Sequence, residues 1–183
     1  LVMGIMSPIT GKLFDKFGPR LLAFTGLGIT AMTTYMLSRL QIDSSYGYIL
    51  SMYSIRMLGL SMAMMPIMTN GLNQLPTRLN PHGTAVNNTV QQVAGAIGTA
   101  IFVTIMNSRA KTSAAELLAG VNPASLTQEQ MAHYAKLALL DGIQFTFVIA
   151  TLTTLVALFI SLFMKRVDVS KAAVAKLETE ASA

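Results

Sequence analysis

The fold class of this chain follows from ten residues near its start, GKLFDKFGPR at positions 11–20. This segment carries four charged residues and two glycines, whereas the ten residues before it and residues 21–38 after it carry no charge. Uncharged segments that approach about 20 residues are typical of helices that cross a bilayer. We therefore predict a short charged loop at 11–20 that joins two transmembrane helices.

The composition of the whole chain also favours a membrane protein. Of its 183 residues, 52% are hydrophobic and 11% are charged, and the mean hydropathy is +0.55. Ordinary soluble domains carry about 25% charged residues. The chain has no cysteine, which excludes a disulfide framework and a thiolate zinc site. The net charge of +5 does not predict a nucleic-acid partner, because the basic residues are spread over the connections and the tail.

Apolar segments long enough to cross a bilayer recur along the sequence. The complete candidate spans are 21–38, 47–69, 85–107 and 142–164, and residues 1–10 resemble the last turns of one more. Unpaired backbone groups are not tolerated in lipid, and the alternation typical of a barrel strand is absent. We therefore predict an all-α, polytopic membrane helix bundle of about four and a half transmembrane helices.

The basic residues predict the orientation of this bundle. Eight Lys and Arg fall in the first and third connections and in the tail, against four in the second and fourth connections. By the positive-inside rule, the protein is a multi-pass protein of the plasma membrane with a cytoplasmic C-terminal tail at 168–183 and an external loop at 108–141. Within that loop, Thr127-Gln128-Glu129-Gln130 fits a capping box, which predicts a helix from about Gln128.

Arg56 is a charged residue well inside a complete span. It lies about ten residues into the 47–69 segment, where an arginine costs at least about 2.5 kcal/mol. No Asp or Glu occurs inside any complete span, so Arg56 needs a backbone carbonyl or an acid elsewhere as its partner. A functional role in coupling and a structural role bonded to backbone carbonyls both stay open.

A polar stripe follows one face of the 85–107 span. Thr84, Asn88, Gln91, Gly95 and Gly98 are spaced by four or three residues, as on one side of a helix. Amides inside a membrane need partners, so Asn88 and Gln91 either line a watery cavity or bond to another helix. Gly95 and Gly98 are expected to allow tight helix packing.

The sequence lacks the motifs of common enzyme sites. It contains no Gly-x-Ser-x-Gly, no His-Glu-x-x-His and no phosphate-binding Gly-Lys-Ser/Thr string. We expect no enzymatic activity, no metal and no cofactor. Since no nucleotide site is visible, any transport must be driven by a gradient.

Two of these segments resemble motifs of the major facilitator superfamily. The first follows its signature Gly-x-Leu-x-Asp-Arg/Lys-x-Gly-Arg/Lys-Arg/Lys at Gly11, Leu13, Asp15, Lys16, Gly18 and Arg20, with Pro19 at a usually basic position. The resemblance implies a cytoplasmic loop that latches one helix pair to another, and the alternative is a positive-inside loop whose glycines only form a turn. The second, Arg56-x-x-Gly59, resembles the superfamily's fourth-helix motif, which is associated with proton coupling, although Ser61 replaces a glycine.

More narrowly, the chain resembles the fourteen-helix drug–proton antiporter branch, which includes lincomycin-resistance and quaternary-ammonium exporters. The resemblance covers Leu1 to about Val167 and implies the C-terminal part of a longer transporter. The implied partners are the lipid bilayer, the missing N-terminal part, protons and a small apolar or cationic substrate. The implied function is proton-coupled multidrug efflux by alternating access. A nutrient or metabolite transporter of the same fold, and a non-transport membrane subunit, stay open as alternatives.

Overall fold

The computed structural model describes residues 2–119 and 126–163, with the side chains of 2–12, 14–16 and 77 outside that description. The described residues form the helices α1 (Val2–Leu37), α2 (Tyr46–Leu72), α3 (Asn80–Leu118) and α4 (Gln128–Ser161). A short 3-10 helix, Thr77–Leu79, precedes α3, and no strand occurs in the described ranges. The all-α prediction is confirmed.

Gly18 breaks α1 into two helical parts. Its φ of 78° and ψ of 167° lie in a region that is almost restricted to glycine. The predicted glycine turn is therefore confirmed in position, but the predicted ten-residue loop is wrong in extent, because the backbone is helical on both sides of Gly18. Residues 12–17 contain no helix breaker, so the helix continues up to Gly18, and Pro19 is well suited to start the next one.

The second part of α1 is the most buried element of the described bundle. Leucine, alanine and threonine side chains between Leu22 and Leu37 are buried, with α2 packed on one side and α4 on another. The hydroxyl of Thr30 donates to the Gly26 carbonyl at 2.8 Å, and that of Thr34 to the Thr30 carbonyl at 2.6 Å. Because each hydroxyl finds an acceptor one turn earlier, α1 can bury threonines inside an apolar bundle.

The backbones of α1 and α2 touch at Gly26 and Gly59. A Cβ atom at Gly26 would lie 2.6 Å from the Gly59 carbonyl oxygen and 2.7 Å from the Ala63 nitrogen. A Cβ atom at Gly59 would lie 2.8 Å from the Gly26 carbonyl oxygen. Small residues at such a crossing allow two membrane helices to approach closely.

The helices pack side by side in the order α2, α1, α4, α3. Contacts between α2 and α3 are few, and Gly83 near the start of α3 packs against Leu72 and Leu75. One side of the bundle, bounded by α2 and α3, is therefore open in the part of the chain that the structure describes.

The connection between α3 and α4 is shorter than predicted. The predicted loop at 108–141 is wrong over 108–118, which belong to α3, whereas the helix predicted from about Gln128 is present as α4. Residues 107–118 contain no Gly or Pro that would end α3. At the other end the predicted capping box is confirmed, because the Thr127 side chain accepts from the Gln130 N–H and the Thr127 N–H donates to Gln130 Oε1 at 3.0 Å.

Three of the helices, α2, α3 and α4, are long and apolar enough to cross a membrane. The prediction of a polytopic membrane bundle is confirmed. The α1 helix is not among these three, so the span at 21–38 and the partial span at 1–10 stay predictions. The tail at 168–183 lies outside the described residues.

Candidate functional site

Arg56 lies on α2, ten residues after the first residue of that helix. Its guanidinium carbon is 5.7 Å from the centroid of the Tyr53 ring, within cation–π range. The side chain is half-buried, and its Nε atom is shielded from solvent without a hydrogen-bond partner among the described residues. A shielded donor on a charged group is costly to leave unpaired. The described helices therefore leave part of Arg56 unsatisfied.

Gly59 packs the helical turn that carries Arg56 closely against α1. It follows Arg56 by three residues, is buried, and has room for no side chain beside Gly26 and Thr30. Gly59 therefore fixes the position of α2 at this level, and it supports Arg56 through packing.

Most of the polar stripe of α3 is not covered by another described helix. Asn88 and Gln91 are exposed, and a Cβ atom at Gly95 or Gly98 would meet nothing within 4 Å. The most apolar stretch of α3 has no buried residue among the described ones. No described helix packs on Gly95 or Gly98, so their packing role stays a prediction. The same helix exposes large apolar side chains at Val86, Val90, Val93, Ile97 and Ile101.

The segment at 11–20 is only partly accessible to description. The structure describes only the backbone at Gly11, Asp15 and Lys16. Any pairing of the Asp15 or Lys16 side chain therefore stays a prediction. Gly18 is buried at the break in α1, and Arg20 after it is exposed.

A charge pair that the sequence interpretation missed joins α3 to α4. Arg109 Nε lies 2.8 Å from Asp141 Oδ2, and Arg109 Nη1 lies 3.9 Å from Glu116 Oε1. The first two atoms are shielded from solvent, yet their contact lacks hydrogen-bond alignment, so it is a close charge contact. The Arg109 guanidinium also lies 5.7 Å from the centroid of the Phe145 ring.

The sequence placed Arg109 and Asp141 in an external loop, where charges need no partner. The capping box at Thr127 was the available signal, because a helix that starts at Gln128 already contains Asp141. Gly142 was a second signal, since a glycine at the edge of a span often marks a close helix approach. What the sequence could not provide is the register between α3 and α4.

The comparisons with known proteins agree with this arrangement of membrane helices. Residues 1–99 match the family described as Major Facilitator Superfamily. Over 89% of the present chain, the sequence is 44% identical to the lincomycin resistance protein LmrB of Listeria monocytogenes. Over 93% of the present chain, it is 43% identical to the uncharacterized MFS-type transporter YhcA of Bacillus subtilis. It is 29% identical to the tetracenomycin C resistance and export protein of Streptomyces glaucescens over 59%. No solved structure matches.

Long apolar helices packed in an antiparallel bundle define a multi-pass membrane protein. More particularly, the chain belongs to the major facilitator superfamily. It spans 32% of the length of LmrB and 37% of the length of YhcA, which is about a third of these relatives.

Proposed function

We propose that this chain is the C-terminal part of a secondary active transporter that exports small apolar or cationic compounds in exchange for protons. The observation that carries the proposal is the exposed polar stripe of α3, together with the scarcity of contacts between α2 and α3. Relatives named for lincomycin resistance and for tetracenomycin C export support a role in drug efflux. In this proposal the protein lies in the plasma membrane and its C-terminal tail is cytoplasmic.

The open side between α2 and α3 is proposed to form one wall of a central cavity. Exposed amides in hydrocarbon are costly, so Asn88 and Gln91 require either water or another helix opposite them. The same helix exposes valine and isoleucine side chains next to these amides. A wall of neutral amides among apolar groups suits an amphipathic compound better than a small ionic nutrient. The rest of the transporter would supply the opposite wall.

Arg56 is proposed to take part in proton coupling. Its unpaired Nε–H calls for an acceptor, and the described spans offer no carboxylate at its level. An acid on the rest of the transporter could pair with Arg56 when ionised and release it when protonated. Proton uptake would then favour one conformation and proton release the other, which is the requirement for gradient-driven transport.

The 11–20 segment is proposed to act at the cytoplasmic side as a latch between helix pairs. The break at Gly18 turns the chain at this point, and the charged residues beside it could bind a neighbouring helix end. Alternating access would require the release of this contact in one of the two states.

The full-length transporter tests this proposal in a bacterial strain that lacks its main drug exporters. Expression should lower the cellular accumulation of ethidium and raise resistance to lincomycin, and a protonophore should abolish both effects. Gln91→Leu should change the relative export of the two compounds several-fold, because it removes one amide of the proposed wall, whereas the neighbouring Val90→Leu should not. Unchanged accumulation of all tested drugs, or proton-driven uptake of a nutrient, would favour the same-fold importer instead.

A further inference from the structure

One helical turn of α4, Asp141–Phe145, contacts both α3 and the connection between α1 and α2. On one face Asp141 meets Arg109 of α3 at 2.8 Å, and Phe145 lies under the same guanidinium. On another face, Gln144 Nε2 donates a hydrogen bond to the backbone carbonyl of Leu40, in the connection between α1 and α2. These contacts join α3, α4 and the α1–α2 connection within five consecutive residues.

Gly142, in the middle of this turn, brings the backbones of α3 and α4 together. A Cβ atom there would lie 2.5 Å from the Met106 carbonyl oxygen and 3.2 Å from the Ala110 nitrogen. This close approach sets Asp141 beside Arg109, so the charge contact and the glycine crossing occur at one level of the bundle. A small shift of α4 along α3 would disrupt the charge contact and the glycine crossing together.

Water cannot easily solvate the two atoms that form the Arg109–Asp141 contact. Although each side chain is 36% exposed, the two contacting atoms are shielded, and neither forms a hydrogen bond in the described part of the chain. Removing one partner would leave the other as an uncompensated, shielded charge, which is the costly case for ion pairs. The contact with Glu116 is longer, and that side chain is 61% exposed, so it should contribute little.

We propose that the Asp141–Phe145 turn is a positioning clamp, which locks α3, α4 and the α1–α2 connection into one rigid unit through Arg109, Gly142 and Gln144. The clamp touches no substrate. This inference rests on the proposed function, because its role in turnover presupposes transport by alternating access. If the helices of this unit move as one rigid body, a movement at the 11–20 segment is transmitted to the Asp141–Phe145 turn. If the helices slide past one another, that movement is not transmitted.

The clamp is tested first by its structural effect, in the full-length transporter with any upstream cysteines replaced. The antiparallel register that sets Arg109 beside Asp141 brings Ser113 level with Ala138, and both residues are buried. A Ser113→Cys/Ala138→Cys pair should cross-link rapidly on oxidation. Asp141→Asn should slow this cross-linking, and exchange of the charges by Arg109→Asp with Asp141→Arg should restore it. An unchanged rate in Asp141→Asn would overturn the clamp.

The effect on transport is measured per molecule of purified protein in liposomes. Asp141→Asn should lower turnover about tenfold, the equivalent of one lost charge-assisted contact, without a change in the half-saturating substrate concentration. The exchanged pair should recover at least half of the loss, and the matched control Glu116→Gln should stay within about twofold of the unaltered protein. Full turnover in Asp141→Asn, or no recovery in the exchanged pair, would contradict the proposal.

The two hypotheses fail in different ways. If the unaltered transporter exports none of the tested compounds, the proposed efflux function fails. The cross-linking rates still decide whether Arg109 and Asp141 hold α3 to α4.

Discussion

Gly18 shows how a single residue determines the path of the chain in this bundle. Its φ of 78° separates the two parts of α1, and no other described residue has a positive φ. An alanine in this conformation is strained by about 1–3 kcal/mol. The substitution Gly18→Ala should therefore lower the melting temperature of the purified full-length protein.

The matched control for this prediction is Gly71→Ala. A Cβ atom at Gly71 meets nothing within 4 Å, and this residue has an ordinary helical conformation. Alanine is favoured over glycine in a helix, so the control should be neutral or slightly stabilising. Equal melting temperatures for the two variants would show that the break at Gly18 does not depend on glycine.

Arg56 provides the second prediction at the level of single residues. If Arg56 serves coupling, Arg56→Lys should keep the protein abundant in the membrane but impair proton-driven export, because lysine cannot reproduce the planar fork of five donors. Arg56→Ala should impair export at least as strongly. Export per molecule in vesicles and the melting temperature are measured together. Full export per molecule in Arg56→Ala, with only stability reduced, would make Arg56 a packing residue.

Local chemistry explains which residues could be predicted from the sequence. The capping box at Thr127 and the turn at Gly18 depend on residues a few positions apart, so their patterns are sufficient. The contact of Arg109 with Asp141 depends on how two helices are aligned, and no short pattern encodes that alignment. The ends of α3 were also missed, because average hydropathy detects the apolar part of a helix but not its polar extension beyond the bilayer.

At the level of elements, the crossing of α1 and α2 determines where Arg56 is held. Both backbones approach within van der Waals distance at Gly26 and Gly59, and Ala63 is buried beside them. Ser61, two residues after Gly59, is also buried, so α2 is enclosed on this face at the level of the crossing.

This crossing predicts that added volume at Gly26 destabilises the bundle. Gly26→Ala would place a methyl group 2.6 Å from the Gly59 carbonyl oxygen, and overpacking of this kind costs about 1–3 kcal/mol. The melting temperature should fall and export per molecule should decline, because the turn that carries Arg56 is displaced. Gly71→Ala, on the same pair of helices, again serves as the control. Unaltered stability in Gly26→Ala would contradict this close helix approach.

The extended helices α3 and α4 change the interpretation of the connection between them. A loop over 108–127 would let the span at 85–107 move independently of the helix that follows. The observed helices instead continue past the predicted spans, and Ser113 and Ala138 are buried along the extension. Because a charge contact and buried residues join these extensions, we expect α3 and α4 to move together.

At the level of the whole molecule, the described helices are proposed to form part of a larger bundle. The chain corresponds to about a third of the length of its relatives, most of the stripe of α3 is exposed, and α2 and α3 scarcely touch. A second set of helices packed on α3 would cover the exposed amides. The sequence alone indicated the polar stripe, but its exposure became visible only in the structure.

The proposed orientation predicts opposite labelling of two exposed positions. Glu129, near the start of α4, is expected outside the cell, and Gln74, between α2 and α3, in the cytoplasm. In the full-length protein freed of other cysteines, Glu129→Cys should react with a membrane-impermeant maleimide in intact cells. Gln74→Cys should react only after permeabilisation, and the reverse pattern would invert the topology.

The proposed transport driven by a proton gradient would connect the roles of the exposed stripe of α3, Arg56 and the segment at 11–20. The full-length transporter, reconstituted in liposomes with an imposed pH gradient, should move ethidium against its concentration gradient while protons flow in the opposite direction. A protonophore should stop this movement, and Arg56→Ala should reduce it at equal protein content. Ethidium movement that ignores the pH gradient, or no movement at all in the presence of the gradient, would contradict proton-coupled efflux.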